Sequence, residues 1–208
     1  MPFTRRRISR LLIVGLALSG AGIVGAVLAE RPPSVEEAVK FIRQAGDKMA
    51  AILNGPGDWS VKRPQAAALI NQMVDVYGVA RFSLGRFWKS ATDAQRSECA
   101  QLFANVLLGS VGRAVGSYRG VTFNIGRARQ LEDVTQVWTT VIRPGDQPRE
   151  VIWVIGTVNG ASKITDVVAE GTSMRITQRD DTSSFLSRNN YSIQALIDEL
   201  RRRSELTS

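Results

Sequence analysis

The 208-residue sequence contains no histidine and only one cysteine, Cys99. Without histidine there can be no Ser-His-Asp triad, no His-liganded zinc and no imidazole general base. A single cysteine excludes an internal disulfide. Cys99 falls in a helical pattern beside Leu102 and Phe103, where it reads as a small apolar packing residue. Many hydrolase readings fail at this point, and no metal, cofactor or catalytic set is called for. Lys and Arg number 27 against 19 Asp and Glu, a net charge of +8. The basic residues are scattered and no RNA- or DNA-binding motif is present, so nucleic acid is not an expected partner.

Only one long apolar run occurs, and it lies at the start. Arg5, Arg6, Arg7 and Arg10 precede the stretch Leu11 to Leu28, which closes on Val27-Leu28-Ala29. A basic segment, an apolar segment and small residues before a cut form a secretory signal pattern. Residues 1–29 are thus expected to be removed near Glu30, leaving residues 30–208 as a single domain outside the cytoplasm. The alternative is a retained anchor; Gly15, Ser19, Gly20, Gly22 and Gly25 dilute the run and weigh against it. Thr4-Arg5-Arg6-Arg7-Ile8 also resembles a twin-arginine export signal, leaving the export route open. The 23 basic and 19 acidic residues beyond position 29 leave a charge of +4. A mildly basic surface of this kind favours approach to anionic membranes without specifying it.

Beyond Arg31-Pro32-Pro33, Ser34 and Glu37 have capping-box spacing. Val35, Ala38, Val39, Ile42, Met49, Ile52 and Leu53 then keep a helical period up to the stop Asn54-Gly55-Pro56-Gly57. A second helix is expected from Pro64 to Tyr77, with Ala67, Ile70, Met73 and Val74 on its apolar face, and a short helical piece from Val79 to Leu84. Thr92 and Gln95 form another capping box and open the longest helix. Its expected apolar face is Cys99, Leu102, Phe103, Val106, Leu107, Ser110, Val111 and Ala114, and it carries Gly109, Gly112 and Gly116 as a stripe of small residues.

After Tyr118-Arg119-Gly120 the pattern becomes β-rich. Strands are expected over Val121 to Arg129, Val134 to Ile142, Glu150 to Val158 and Lys163 to Glu170, with a fifth from Thr172 to Arg179. Pro144-Gly145-Asp146 marks a turn, and Asn159-Gly160 fits a two-residue hairpin. A last helix is expected from Ser192 to Arg203. The fold class is α+β, with N-terminal helices and a C-terminal helix packed on an antiparallel meander.

Several segments resemble one family. Leu84-Gly85-Arg86-Phe87-Trp88, Ala91-Thr92 and Gln95-Arg96 match its helical segment, and Asp75 fits an aspartate that precedes it. Phe103, Leu107 and Tyr118 fall on its long helix. Asp166-Val167-Val168-Ala169-Glu170-Gly171-Thr172-Ser173-Met174 is similar to its strand-turn-strand. The family is that of MlaC-like periplasmic phospholipid-binding proteins, also called the toluene-tolerance family. The resemblance spans Val35 to Leu200. Ser173 to Arg179 and Ser184 to Asn189 look closest to the HpnM branch, which is associated with hopanoids. Two features depart from the pattern: Asn189-Asn190, and Lys163-Ile164-Thr165 where the wider family carries a tryptophan.

The resemblance implies a sheet and helices enclosing an elongated apolar cavity, and a carrier of a phospholipid or hopanoid across the periplasm. It also implies as partners an inner-membrane MCE/ABC transporter complex and an outer-membrane lipid donor or acceptor. Such a task needs apolar surface rather than reactive groups. Burying each methylene is worth ~0.8 kcal/mol, so a tail of about fifteen gains on the order of 12 kcal/mol before ordering costs. Phe103, Val106, Val111, Tyr118, Trp138, Trp153, Val167 and Met174 are the candidate lining. Both faces of the central strands are apolar, so alternation does not decide which meets the helices. Asp166, Glu170 and Gly171 read as turn chemistry before catalysis. Two other functions remain open: a secreted ketosteroid-isomerase-like enzyme with Asp166 as base, and an envelope adaptor that binds no lipid.

Overall fold

A computed structural model describes residues 30–114, 122–142, 145 and 147–206. The expected signal peptide, Tyr118, Gly116, Pro144 and Asp146 lie outside them, as do the side-chain surroundings of Val111. The helices are α1 (Val35–Asn54), α2 (Trp59–Met73), α3 (Val76–Leu84), α4 (Asp93–Ala114), α5 (Met174–Arg188) and α6 (Ile193–Glu205). The strands are β1 (Thr122–Gln130), β2 (Thr135–Ile142), β3 (Arg149–Val158), β4 (Ala161–Ala169) and β5 (Thr172–Ser173). They form one sheet in the order β1-β2-β3-β4-β5, every neighbour antiparallel. This is the expected α+β meander. Among the described residues, no helix is long and apolar enough to cross a membrane.

Local chemistry sets most boundaries. The Ser34 hydroxyl accepts from Glu37 N at 3.2 Å and the Glu37 carboxylate accepts from Ser34 N at 2.7 Å, closing the expected box on α1. Those bonds hold the Glu37 carboxyl below its usual range. Thr92 and Gln95 make the same reciprocal pair on α4, at 3.2 and 3.1 Å. The hairpin residues Asn159 and Gly160 both have left-handed φ, +51° and +74°, the backbone a two-residue turn requires. Glu170 and Gly171, at +52° and +77°, repeat that arrangement between β4 and β5.

Three expectations need correction. Helix α2 starts at Trp59 rather than Pro64. Asp58 caps it by accepting from Ser60 N and Val61 N, and Pro64 sits inside. The helix also stops at Met73, before Tyr77, because the chain turns to meet β4. Val74 bridges Ile164, and Asp75 N donates to Ile164 O at 3.0 Å. Lys163 then donates to the exposed carbonyl of Gln72 at 2.5 Å. The fifth strand, expected to reach Arg179, is two residues long, and Met174 onward is helix. Ser173 caps this helix through Ile176 N, and Asp166 accepts from Arg175 N at 3.0 Å, so β4 itself supplies part of the helix start.

The third correction concerns the apolar face of α4. Leu107 is 42 % exposed, whereas Leu108 is buried against Ala66 and Ile70 of α2. Cys99, Leu102 and Phe103 instead pack with Leu84, Leu186, Leu196, Ile197 and Leu200 from α3, α5 and α6. Helix α4 thus bridges two partners, and its buried surface wraps around the helix. The chain ahead of α1 is fastened to the sheet. Thr135 donates to Pro33 O at 2.5 Å, Thr157 to Arg31 O at 2.7 Å, and Gly160 N to the Glu30 carboxylate at 2.8 Å.

Candidate functional site

The register of the sheet resolves which face meets the helices. Val137, Trp153 and Val167 are directly paired across β2, β3 and β4, and Val137 and Ile155 are wholly buried beneath α1 and α2. Paired residues of an antiparallel sheet share a face, so Thr139, Val141, Val151 and Ala169 continue this surface. From α1 come Ala38 and Ile42, fully buried, then Phe41, Ala45, Met49 and Ile52, only partly buried. Trp153 and Val167 are likewise half-buried. Between helix and sheet there is therefore an apolar surface that is incompletely covered.

Its polar atoms are kept within the sheet. The Trp153 indole N–H donates to the Thr139 hydroxyl at 2.9 Å, and that hydroxyl donates to Val151 O at 3.3 Å. The indole thus presents hydrocarbon and leaves no buried donor unpaired. At the β1 end, Phe123 presses against Gly46 of α1. A Cβ on Gly46 would stand 2.1 Å from the Phe123 ring tip. Glycine here allows an aromatic ring to seat directly on the helix backbone.

The eight candidate residues do not line one surface. Trp153 and Val167 lie together on the helix-facing side. Trp138 faces the other way, opposite Ile152, with the Arg127 guanidinium 4.5 Å above its ring. Phe103 belongs to the closed helical cluster, and Val106 packs at its edge. Met174 is 54 % exposed at the start of α5. Val111 and Tyr118 lie outside what is described. Gly109 is buried, while the surroundings of Gly112 and Gly116 are not described. The helix-facing surface also includes Phe41, Ala45, Phe123, Ile125 and Val151, which are not among the eight candidates. A glycine at position 46, midway along an otherwise regular amphipathic helix, was the available signal.

The outward sheet face offers a different kind of space. A depression of about 490 Å³ is lined by Gln147, Pro148, Arg149, Glu150, Ile152, Val168, Glu170 and Gly171. Arg149 and Glu170 pair across it at 2.6 Å. An open hollow rimmed by charge does not give an acyl chain the dry surroundings it needs.

The acidic candidates are structural. Asp166 accepts from Val167 N at 2.8 Å, from the Ser173 hydroxyl at 2.5 Å and from Arg175 N at 3.0 Å. Both oxygens are engaged in joining β4 to α5, which leaves no free base there. Burial pushes the Cys99 thiol up to about 11, so it is not a nucleophile near neutral pH. The run Arg201-Arg202-Arg203 is paired with acids. Arg201 meets Glu98 and Asp198, and Arg202 and Arg203 share Glu199. Trp88 is half-buried, edge-on to Tyr77 at 5.0 Å, with Arg96 5.5 Å above it.

This architecture has solved counterparts. One is a phospholipid-binding protein from Ralstonia solanacearum in complex with a phospholipid. The two chains share 19% sequence identity and superpose with a TM-score of 0.72, over 81% of this chain and 97% of the other. At that identity the likeness speaks for the fold. The family model described as MlaC protein matches residues 43–202. That range runs from the middle of α1 through α2 to α5, the whole meander and nearly all of α6, and on it the chain belongs to the MlaC family.

Proposed function

We propose that this protein is a periplasmic lipid carrier. As a member of the MlaC family it is a binding protein rather than an enzyme. In this reading residues 1–29 direct export and are removed. The domain from Glu30 onward carries a phospholipid or a hopanoid-type lipid between inner and outer membranes, receiving or delivering it at an MCE/ABC transporter complex. The observation that carries the reading is the incompletely covered apolar surface between α1 and the sheet, built around Trp153, Val167, Phe41, Met49 and Ile52. The phospholipid held by the Ralstonia solanacearum protein of the same fold supports it. Hopanoid binding rests on the likeness of Ser173 to Arg179 and Ser184 to Asn189 to the HpnM branch.

The test is organic extraction and mass spectrometry of the exported protein, purified without detergent. A lipid recovered at close to one per protein supports the carrier, and its structure assigns the diacyl or polycyclic class. A lipid-free protein that also fails to take up phospholipid from vesicles overturns the reading.

A further inference from the structure

Two arginines on the first turns of α5 share one aromatic ring. The guanidinium carbons of Arg175 and Arg179 stand 4.3 and 4.9 Å from the centroid of Phe82 on α3. Residues four apart on a helix lie on the same side, so both guanidinium groups lie over the Phe82 ring beside the seam between α3 and α5, Arg175 partly buried and Arg179 exposed. Like charges in such proximity repel, and a nearby acid would ordinarily relieve them. Among the described residues neither guanidinium has a carboxylate partner. Asp166, which accepts from the backbone N–H of Arg175, already has both oxygens engaged by Val167 N, the Ser173 hydroxyl and that same N–H.

The Arg175 side chain adds a more specific sign. Its Nε–H is buried and has no acceptor. A buried donor without an acceptor is costly and calls for a missing partner. Gly85 adjoins the pair: the Arg179 guanidinium lies in van der Waals range of the position a Cβ would take there, with Nη2 at 3.5 Å. Its φ of +53° makes a larger residue unfavourable on backbone grounds as well. The floor of the seam is therefore an aromatic ring, its donors are two guanidinium forks, and one of those donors is unsatisfied.

We propose that Arg175 and Arg179, seated on Phe82, form a phosphate-binding site. Guanidinium forks match phosphate oxygens in geometry and charge, and stacking on a ring holds each fork in place before the ligand arrives. The phosphate comes from a phospholipid headgroup or from a free phosphate or phosphomonoester. The site stands on its own observations and does not depend on the carrier reading.

The first measurement uses wild-type protein and side-chain Nε–H NMR signals. Titration with inorganic phosphate and with glycerol 3-phosphate, at constant ionic strength against chloride, is expected to give saturable shifts at Arg175 and Arg179. Shifts no larger than those from chloride overturn the proposal. The second uses R175Q/R179Q, with R175K/R179K as a variant that keeps charge and bulk should the first fold poorly. Losing the charge-assisted bonds weakens phosphate binding by about tenfold or more, with a smaller loss in the lysine pair. Unchanged affinity in a folded glutamine variant overturns the proposal. Extraction of lipid from the same variants assigns the source. Loss of phospholipid together with loss of soluble phosphate binding supports a headgroup site. Intact phospholipid with lost phosphate binding supports a free-phosphate site. A lipid-free wild type that still binds phosphate supports the site while overturning the carrier.

Discussion

The helical layer and the sheet layer bury apolar residues in different ways. Between α3, α4, α5 and α6 the centre of the cluster is closed: Leu84, Cys99, Leu186, Ile197 and Leu200 are at most 2 % exposed, with Phe87, Trp88, Val106, Phe185 and Ile193 partly buried at its edge. Between α1 and the sheet, a few anchors such as Ala38, Ile42, Val137 and Ile155 are closed, but Phe41, Ala45, Met49, Ile52, Trp153 and Val167 around them are only partly buried. A protein that merely had to fold would gain by closing both. In the proposed reading the helical layer supplies stability, and the sheet layer leaves apolar surface for a lipid to cover. The two layers should consequently respond differently to truncation.

Ile197→Ala should produce the largest loss of stability. Removing a wholly buried aliphatic side chain from a close-packed cluster costs about 2–5 kcal/mol. Denaturant unfolding followed by circular dichroism should show it, while lipid recovered per folded molecule stays unchanged. A parallel fall in lipid content would mean that the two layers are not separable.

Trp153→Ala should reverse the pattern. The side chain is half-buried, so its removal costs about 2 kcal/mol or less in stability. The larger effect falls on lipid retention, expected to drop by about tenfold, because the ring supplies contact surface directly. A folded variant with normal lipid content would remove Trp153 from the site.

Two glycines allow a finer contrast, one in each kind of surrounding. At Gly78 an added Cβ would meet the Asp75 carboxylate at 1.9 Å, and that carboxylate caps α3 by accepting from Gly78 N at 2.9 Å. Gly78→Ala displaces the cap and should cost about 1–2 kcal/mol. At Gly46 the added Cβ would overlap the tip of the half-buried Phe123 ring, the far end of a side chain, which must shift to admit it. The helix-propensity gain of about 1 kcal/mol offsets the displacement, so Gly46→Ala should be nearly neutral in stability. Its effect should appear in lipid uptake, read by vesicle exchange. A large loss of stability at Gly46 would show that the sheet layer is as tightly filled as the helical one.

How far the sequence could be read follows the range of the interactions. Ser34 with Glu37, Thr92 with Gln95 and Asn159-Gly160 were legible because the partners sit within three residues of each other. The start of α5 was not. Met174, Arg175 and Ile176 look like strand, and what turns them into helix is Asp166, brought alongside by the Glu170-Gly171 turn. The start of α2 was obscured because Pro64 resembles a first-turn proline, whereas Asp58 caps the helix further upstream. The proposed lining was only half legible. Trp138 and Trp153 are equivalent as apolar strand residues. Only the packing of α1 on the Val137 side separates them, and that is a property of the assembled layers.

The smallest effect concerns the caps of the two layers. Helix α1, which covers the half-open sheet, is closed by a Ser-Glu box; α4, in the closed layer, uses a Thr-Gln box. One titrates and the other does not. The Glu37 carboxyl is held below its usual range, first by its bond from Ser34 N, then by the Ser34 side chain and the Arg31 charge. A carboxyl lowered on folding stabilises the folded state above its unfolded value. That contribution is lost as pH falls through the folded value. Asp58, capping α2 through Ser60 and Val61, is lowered in the same direction. Glu37→Gln makes the α1 box resemble that of α4: an acceptor remains, but the charge near the helix N-terminus is gone. The variant should melt slightly below wild type at neutral pH, with the gap closing as the medium becomes more acidic than the ordinary carboxylate range. Gln95→Glu on α4 should do the reverse, adding a small gain at neutral pH that vanishes in acid. A Glu37→Gln gap that stays constant across pH would mean that Glu37 acts through its hydrogen bond alone.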